Sequence, residues 1–138
     1  MNLGYACINM SLGKSVTTNR TMIKRTFLEK GLDYVSDCVI QNVADLERII
    51  DWNEQNGIKM YRMSSDMMPW ATEYQFEQLK DWAEISIILQ RCGEKATQYG
   101  QRLSFHPGPF NVLVSPKEAV VQNTINDLEV HGRLMDAL

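Results

Sequence analysis

The chain contains no apolar run near the roughly 18 residues that a membrane-spanning helix requires, which excludes a helical membrane protein. It contains no CxxC pair. Its three cysteines, Cys7, Cys38 and Cys92, are odd in number and widely spaced, which argues against a disulfide scaffold or zinc ribbon and fits reduced thiols. The first residues, Met1-Asn2-Leu3-Gly4-Tyr5, lack the basic region and long apolar stretch of a secretory signal. The expectation is a cytoplasmic chain with no membrane partner. Walker A, GxSxG and HExxH motifs are missing, and no second histidine stands at metal-ligand spacing from the first. What remains is ordinary globular material: 138 residues, 44% hydrophobic and 22% charged, enough for one domain with one core and too apolar for disorder.

Charge is unevenly spread. Between Lys14 and Lys30 five basic residues (Lys14, Arg20, Lys24, Arg25, Lys30) face one acid, Glu29, for a local charge of +4. The other nine basic and sixteen acidic side chains leave −7 on the rest. A basic stretch on an acidic chain marks either a phosphate-facing surface or a solvated helix face, and the sequence leaves both readings open.

Three short strand-like runs alternate with long helical patterns. The runs are Leu3 to Asn9, Ile58 to Ser65 and Arg102 to His106. Gly57 and Gly100 precede the second and third, where a helix C-terminus hands over to a strand and glycine alone takes the left-handed cap cheaply. Thr18 to Tyr34 reads as a helical stretch interrupted near Gly31, and Asn42 with Asp45 reads as the start of a helix carrying Leu46, Ile49 and Ile50. Thr72 to Gln75 and Ser115 to Glu118 read as helix starts of capping-box type. The stripes that follow are Phe76, Leu79, Ala83 and Ile87 in one helix and Val121, Ile125, Leu128 and Met135 in the other. The order β-α-α-β-α-β-α implies parallel strands joined by crossovers. A doubly wound sheet and a (β/α)8 barrel both accept it. The first βα turn has no GxGxxG, which weighs against a dinucleotide-binding sheet, and a whole barrel takes about 250 residues, so only about three βα units are present.

Active groups in such folds gather at the C-terminal ends of the strands. Here those ends are Asn9, Ser64-Ser65-Asp66 and His106-Pro107-Gly108-Pro109-Phe110. His106 is the best candidate for a divalent metal ligand, with a hydrogen-bonded strand-end histidine as the bland alternative. Ser64, Ser65 and Asp66 are either turn formers and caps or part of a site. Arg62, inside a strand, suits a carboxylate or phosphate partner. Phe110 at a loop tip is a core plug or an aromatic wedge against bases. The eight methionines read as adaptable core filler. His131, in the last helix, reads as solvent-exposed or as a helix–helix contact.

Several blocks resemble one family. They are Leu3-Gly4-Tyr5 leading to Asn9, Asn42-Val43-Ala44-Asp45-Leu46 through Trp52-Asn53, Asn56-Gly57-Ile58, Tyr61-Arg62-Met63-Ser64-Ser65-Asp66, Pro69-Trp70, Arg102-Leu103-Ser104-Phe105-His106-Pro107-Gly108 and Asp127-Leu128-Glu129. Together they resemble the N-terminal part of the UV-damage endonucleases, the repair nucleases of the UvsE/UvdE type. The Arg-x-Ser-Ser-Asp and Arg-Leu-Ser-Phe-His-Pro-Gly blocks carry most of the specificity.

The resemblance implies an α/β fold, a partial TIM barrel of which residues 1–138 are the N-terminal part. It implies a metal-dependent enzyme, using manganese, that nicks damaged double-stranded DNA 5′ to UV photoproducts. His106 matches the family's first metal-binding histidine, and Tyr5 and Asn9 match catalytic-cleft residues near the lesion and scissile phosphate. Pro109 and Phe110 fall where members carry a glutamine and an aromatic that probe the lesion. Phe110 fits, whereas Pro109 loses the hydrogen-bonding side chain. The family's other metal ligands lie on later strands, so the chain is expected to be inactive alone and to be completed by a complementing C-terminal fragment or by self-association. The alternatives are a non-catalytic remnant, a DNA-binding half of a split enzyme, and an abasic-site endonuclease or sugar isomerase of related fold.

Overall fold

Two glycines punctuate the chain where helices give way to strands. Gly57 and Gly100 both adopt positive φ, 68° and 62°, as the handover from helix to strand requires. In the computed structural model, which describes residues 1–138, they separate helix α1 (Lys24–Gln55) from strand β2 (Ile58–Ser64), and helix α2 (Trp82–Gln98) from strand β3 (Arg102–His106). Strand β1 (Leu3–Ala6) precedes them and helix α3 (Glu118–Asp136) closes the order. The three strands form one parallel sheet in the order β1-β2-β3.

Alternation along parallel strands divides the sheet into two unlike faces. Tyr5, Tyr61 and Leu103 share one row and Met63 and Phe105 the next. This face is apolar and covered: Tyr61 and Met63 are fully buried. Helix α1 lays Val35, Val39, Val43, Leu46 and Ile50 against it at spacings of three and four, the helical repeat. Helix α2 adds Ile85, Ile88, Leu89 and Cys92, and helix α3 adds Val130 and Leu134 to the same core. All three helices therefore cover one face. One-sided cover with consecutive strand order fits a barrel segment and equally the first half of a doubly wound sheet, in which helices reach the second face only after the strand order reverses. The other face carries Met60, Arg62, Arg102 and His106, all exposed. None of the helices is long and apolar enough to cross a membrane.

The expected interruption in the first helical stretch is present. Gly31 has φ 65° and ψ −161°, so α1 is two segments, 24–30 and 32–55. Asn42 and Asp45 are not a helix start; both lie buried within the second segment and bond backward to residues 17–20. Strand β1 is shorter than its apolar pattern, because Cys7 turns into positive φ (59°) and its carbonyl accepts the Tyr61 hydroxyl at 2.9 Å. Helix α2 begins at Trp82, ten residues after Thr72. Trp70 in the left-handed region and extended Tyr74 and Gln75 break the intervening chain into short 3-10 turns at Ala71–Glu73 and Phe76–Gln78. The capping box forms there between Gln75 and Gln78. Phe76 and Leu79 are buried as expected, but Ile87 is exposed and Ile85, Ile88 and Leu89 form the buried stripe.

In α3 the docked face is also rotated from the expected one. Thr124, Val130, His131 and Leu134 are buried, whereas Ile125 and Met135 are exposed. Polar tethers set that rotation: the Val112 amide donates to Thr124 Oγ1 at 2.9 Å, and Asn111 Nδ2 donates to Asp127 at 2.6 Å. The Ser115 hydroxyl accepts from Lys117, two residues on, so the expected bond to the Glu118 amide is not made.

Candidate functional site

The strand C-termini face a cleft of about 300 Å³ whose walls include Ser65, Asp66, Trp70, Phe110, Asn111 and Asp127. Each wall has a local cause. Ser64 caps the 3-10 turn Ser65–Met67 by accepting the Asp66 amide at 3.2 Å, which leaves Asp66 exposed. The capping reading of Ser64 is thus met, and Asp66 still reaches the cleft. Trp70 is held by two contacts: its indole N–H donates to the Met22 carbonyl at 2.9 Å, and its ring stacks on Phe27 with centroids 5.5 Å apart. Phe110, 88% exposed, stands on the loop after β3, fastened at its next two residues by the Asn111–Asp127 and Val112–Thr124 bonds. Pro109 beside it is exposed.

His106 ends β3 on the uncovered face, opposite Ser64 in register and exposed. One row below, Arg62 lies between Ala6 and Ser104, its Nε donating to the Phe105 carbonyl at 3.1 Å. Arg62 therefore binds backbone and not a carboxylate. Tyr5 occupies the opposite face. Its ring packs against Tyr61 and Trp52, and its hydroxyl donates to Asn53 Oδ1 at 2.8 Å while accepting from Asn9 Nδ2 at 2.8 Å. Burial pushes the Tyr5 hydroxyl pKa up, against the opposing pull of its Asn9 and Asn53 bonds, so the phenol is a proton donor at neutral pH. Asn9 is buried and caps the 3-10 turn Met10–Leu12 through Oδ1. The candidates thus divide: His106, Pro109 and Phe110 share one strand end and its loop, while Tyr5 and Asn9 form a separate hydrogen-bonded unit with α1.

No three histidine, cysteine, aspartate or glutamate side chains converge to hold a metal ion. A single exposed histidine does not make a metal site, so the residues of this chain do not by themselves fit one.

The family described as UV-endonuclease UvdE matches residues 1–138, the whole chain. This chain belongs to that family. Among similar proteins, the UV-damage endonuclease of Schizosaccharomyces pombe is 34% identical over 99% of this UvdE-family chain and 23% of its own length. The UV DNA damage endonuclease of Clostridium perfringens is 30% identical over 100% of this chain and 32% of its own. A solved structure, the crystal structure of SacUVDE, superposes with a TM-score of 0.85 at 31% identity, covering 99% of this chain and 45% of that one. This UvdE-family chain spans 23% to 45% of the length of these three proteins.

Two residues, Trp70 in the cleft wall and His131 against Phe105, were not legible as site residues. Trp70 stands out only through its left-handed backbone (φ 57°), a conformation that costs a bulky residue of order 1 kcal/mol or more and recurs at functional positions. His131 is buried, stacked on Phe105 with centroids 4.7 Å apart, and leaves Nδ1 without a partner. Burial lowers its pKa, with the nearby Asp127 carboxylate pulling the other way. Its contact is with a strand, not with another helix. The i, i+4 pair Asp127–His131 is the one signal that would have found it.

Proposed function

We propose that residues 1–138 are the first three βα units of a TIM-type barrel endonuclease that nicks damaged double-stranded DNA 5′ to UV photoproducts. The observation that carries this reading is the one-sided helix cover over a parallel β1-β2-β3 sheet, with a polar face left open and a cleft at the strand C-termini. In a closed barrel the open face becomes the interior and the cleft becomes the catalytic rim. The names of the relatives, UV-damage and UV DNA damage endonuclease, support the substrate. His106 is then the chain's one ligand toward a divalent metal, manganese, and the other ligands come from polypeptide outside these residues. Phe110 presents an aromatic face to bases at the rim, where stacking contributes about 1–3 kcal/mol per base. Pro109 offers no side-chain hydrogen bond there, so lesion probing falls to Phe110. Tyr5 and Asn9 hold β1 against α1 through Asn53, apart from the cleft. The working compartment in this reading is the cytoplasm.

Nicking of UV-irradiated supercoiled plasmid with manganese tests it, beside unirradiated plasmid and the His106→Ala variant. The chain alone is expected to be inactive. Added to the separately expressed remainder of the Clostridium perfringens relative, it should restore damage-dependent nicking that His106→Ala abolishes. Nicking by the chain alone would overturn its dependence on added polypeptide. Restored nicking on abasic DNA but not on irradiated DNA would overturn the substrate.

A further inference from the structure

The basic stretch begins in irregular chain that is tied to the core and ends in the first turns of α1. Residues 13–23 contain no regular helix or strand, yet three internal groups hold them. Asn42, fully buried, accepts the Arg20 amide at 3.0 Å and donates to the Arg20 carbonyl at 3.0 Å. Asp45 accepts the Thr17 amide at 3.1 Å and the Arg20 guanidinium at 2.7 Å. Trp70 takes the Met22 carbonyl and stacks on Phe27. Of the five basic side chains, Arg20 alone is turned inward. Lys14, Lys24, Arg25 and Lys30 are exposed, and Arg25 meets only the exposed Glu29, at 3.8 Å. An ion pair that loose and solvated contributes little.

Position gives these cations a use. Lys24 and Arg25 lie between Met22 and Phe27, the two residues that clasp Trp70, and Trp70 is a wall of the rim cleft. At the other end of the strap, Lys14 borders a depression of about 350 Å³ together with Asn9, at the end of β1. The cleft itself holds Asp66 and Asp127, which repel phosphate. The strap beside the cleft therefore supplies the attraction for a polyanion that the cleft's own carboxylates do not, on a chain whose other residues are net acidic.

We infer that Lys14, Lys24 and Arg25 form a preorganised phosphate track that holds the backbone of duplex DNA alongside the cleft. The inference rests on the DNA-directed reading above and assigns the side chains that would carry sequence-independent affinity. Fixing the strap in advance removes the ordering cost that a flexible basic arm meets on binding.

The test is the salt dependence of binding to a labelled duplex, irradiated and unirradiated, by fluorescence anisotropy. Each neutralised phosphate contributes about 0.9 to the slope of log K against log salt, so Lys24→Gln/Arg25→Gln should make the slope shallower by about 1.8. The loss of affinity should be the same on both duplexes, because phosphate contacts carry no lesion information. Lys14→Gln should remove about 0.9 more. The charge-retaining exchange Lys24→Arg/Arg25→Lys should keep the original slope. Lys59→Gln/Arg91→Gln removes the same charge away from the strap and should leave the slope unchanged, and thermal melts report whether each variant is folded. An unchanged slope in the folded Lys24→Gln/Arg25→Gln variant, or an equal change in the Lys59→Gln/Arg91→Gln variant, overturns the track and leaves the DNA-directed reading standing. Failure of the unaltered chain to bind either duplex overturns both.

Discussion

Asn42 is the residue on which the strap depends, and its removal has a calculable cost. Its amide makes three hydrogen bonds: it accepts from the Arg20 N–H and donates to the carbonyls of Arg20 and Met67, at 3.0, 3.0 and 3.1 Å. Asn42→Ala strands all three backbone groups. The Met67 carbonyl lies in fully buried surroundings, where an unmade bond costs about 1–3 kcal/mol. The two Arg20 groups are half-buried and regain water, so each costs nearer 0.5–1 kcal/mol, roughly the net value of a hydrogen bond. The sum is about 3 kcal/mol. For a chain of this length that corresponds to a drop in Tm of about 10 °C. Thermal unfolding by circular dichroism measures the first quantity. Hydrogen exchange over residues 13–23 measures whether the strap is released with it. Asn42→Asp is a second probe, since it keeps the shape and one acceptor but loses both donated bonds and buries a charge. A loss below about 1 kcal/mol, or unchanged exchange protection in the strap, would refute the claim that Asn42 anchors it.

Two further outcomes follow from the packing. His131 has its folded-state pKa lowered by burial, so the folded form disfavours the protonated ring. Its contribution is present above the unfolded value of about 6.5 and is lost as pH falls below it; Tm measured from pH 7.5 to 5 should decline, and His131→Gln should flatten that decline. Gly4 has no room for a side chain: a Cβ there would stand 2.6 Å from Met60 Cβ and 2.7 Å from the Met60 carbonyl oxygen. Gly4→Ala should therefore destabilise by about 1–3 kcal/mol in urea unfolding, and an unchanged midpoint would show that β1 shifts freely against β2.

What the sequence disclosed were features decided within a few residues. Gly57 and Gly100 mark helix-to-strand transitions because positive φ is a local demand, and the break at Gly31 has the same cause. The limits of β3 and the parallel strand order follow from short apolar runs separated by helical lengths. Features decided by distant partners are not legible in the sequence. Asn42 and Asp45 look like a helix start because they are good capping residues, yet they serve backbone more than twenty residues away. The buried face of α3 departs from its apolar stripe because Thr124 and Asp127, both polar, tie the helix to the loop after β3. At the strand ends, His106, Pro109 and Phe110 lie together on β3 and its loop, as their adjacency in the chain dictates, and of the three Phe110 lines the cleft. The side on which Tyr5 points depends on register, and register is invisible without β2.

The break at Gly31 also bears on how this chain tolerates change. In an uninterrupted helix every residue is tied to every other by 100° of rotation, so one inserted residue swings the whole preceding length. Gly31 cancels that linkage: the segment 24–30 carries Lys24 and Arg25 with its own phase, and the segment 32–55 carries the core. An insertion or deletion between Phe27 and Gly31 therefore rotates the segment 24–30 against Val35, Val39 and Leu46 without turning them, and what resists it is the Phe27–Trp70 stack.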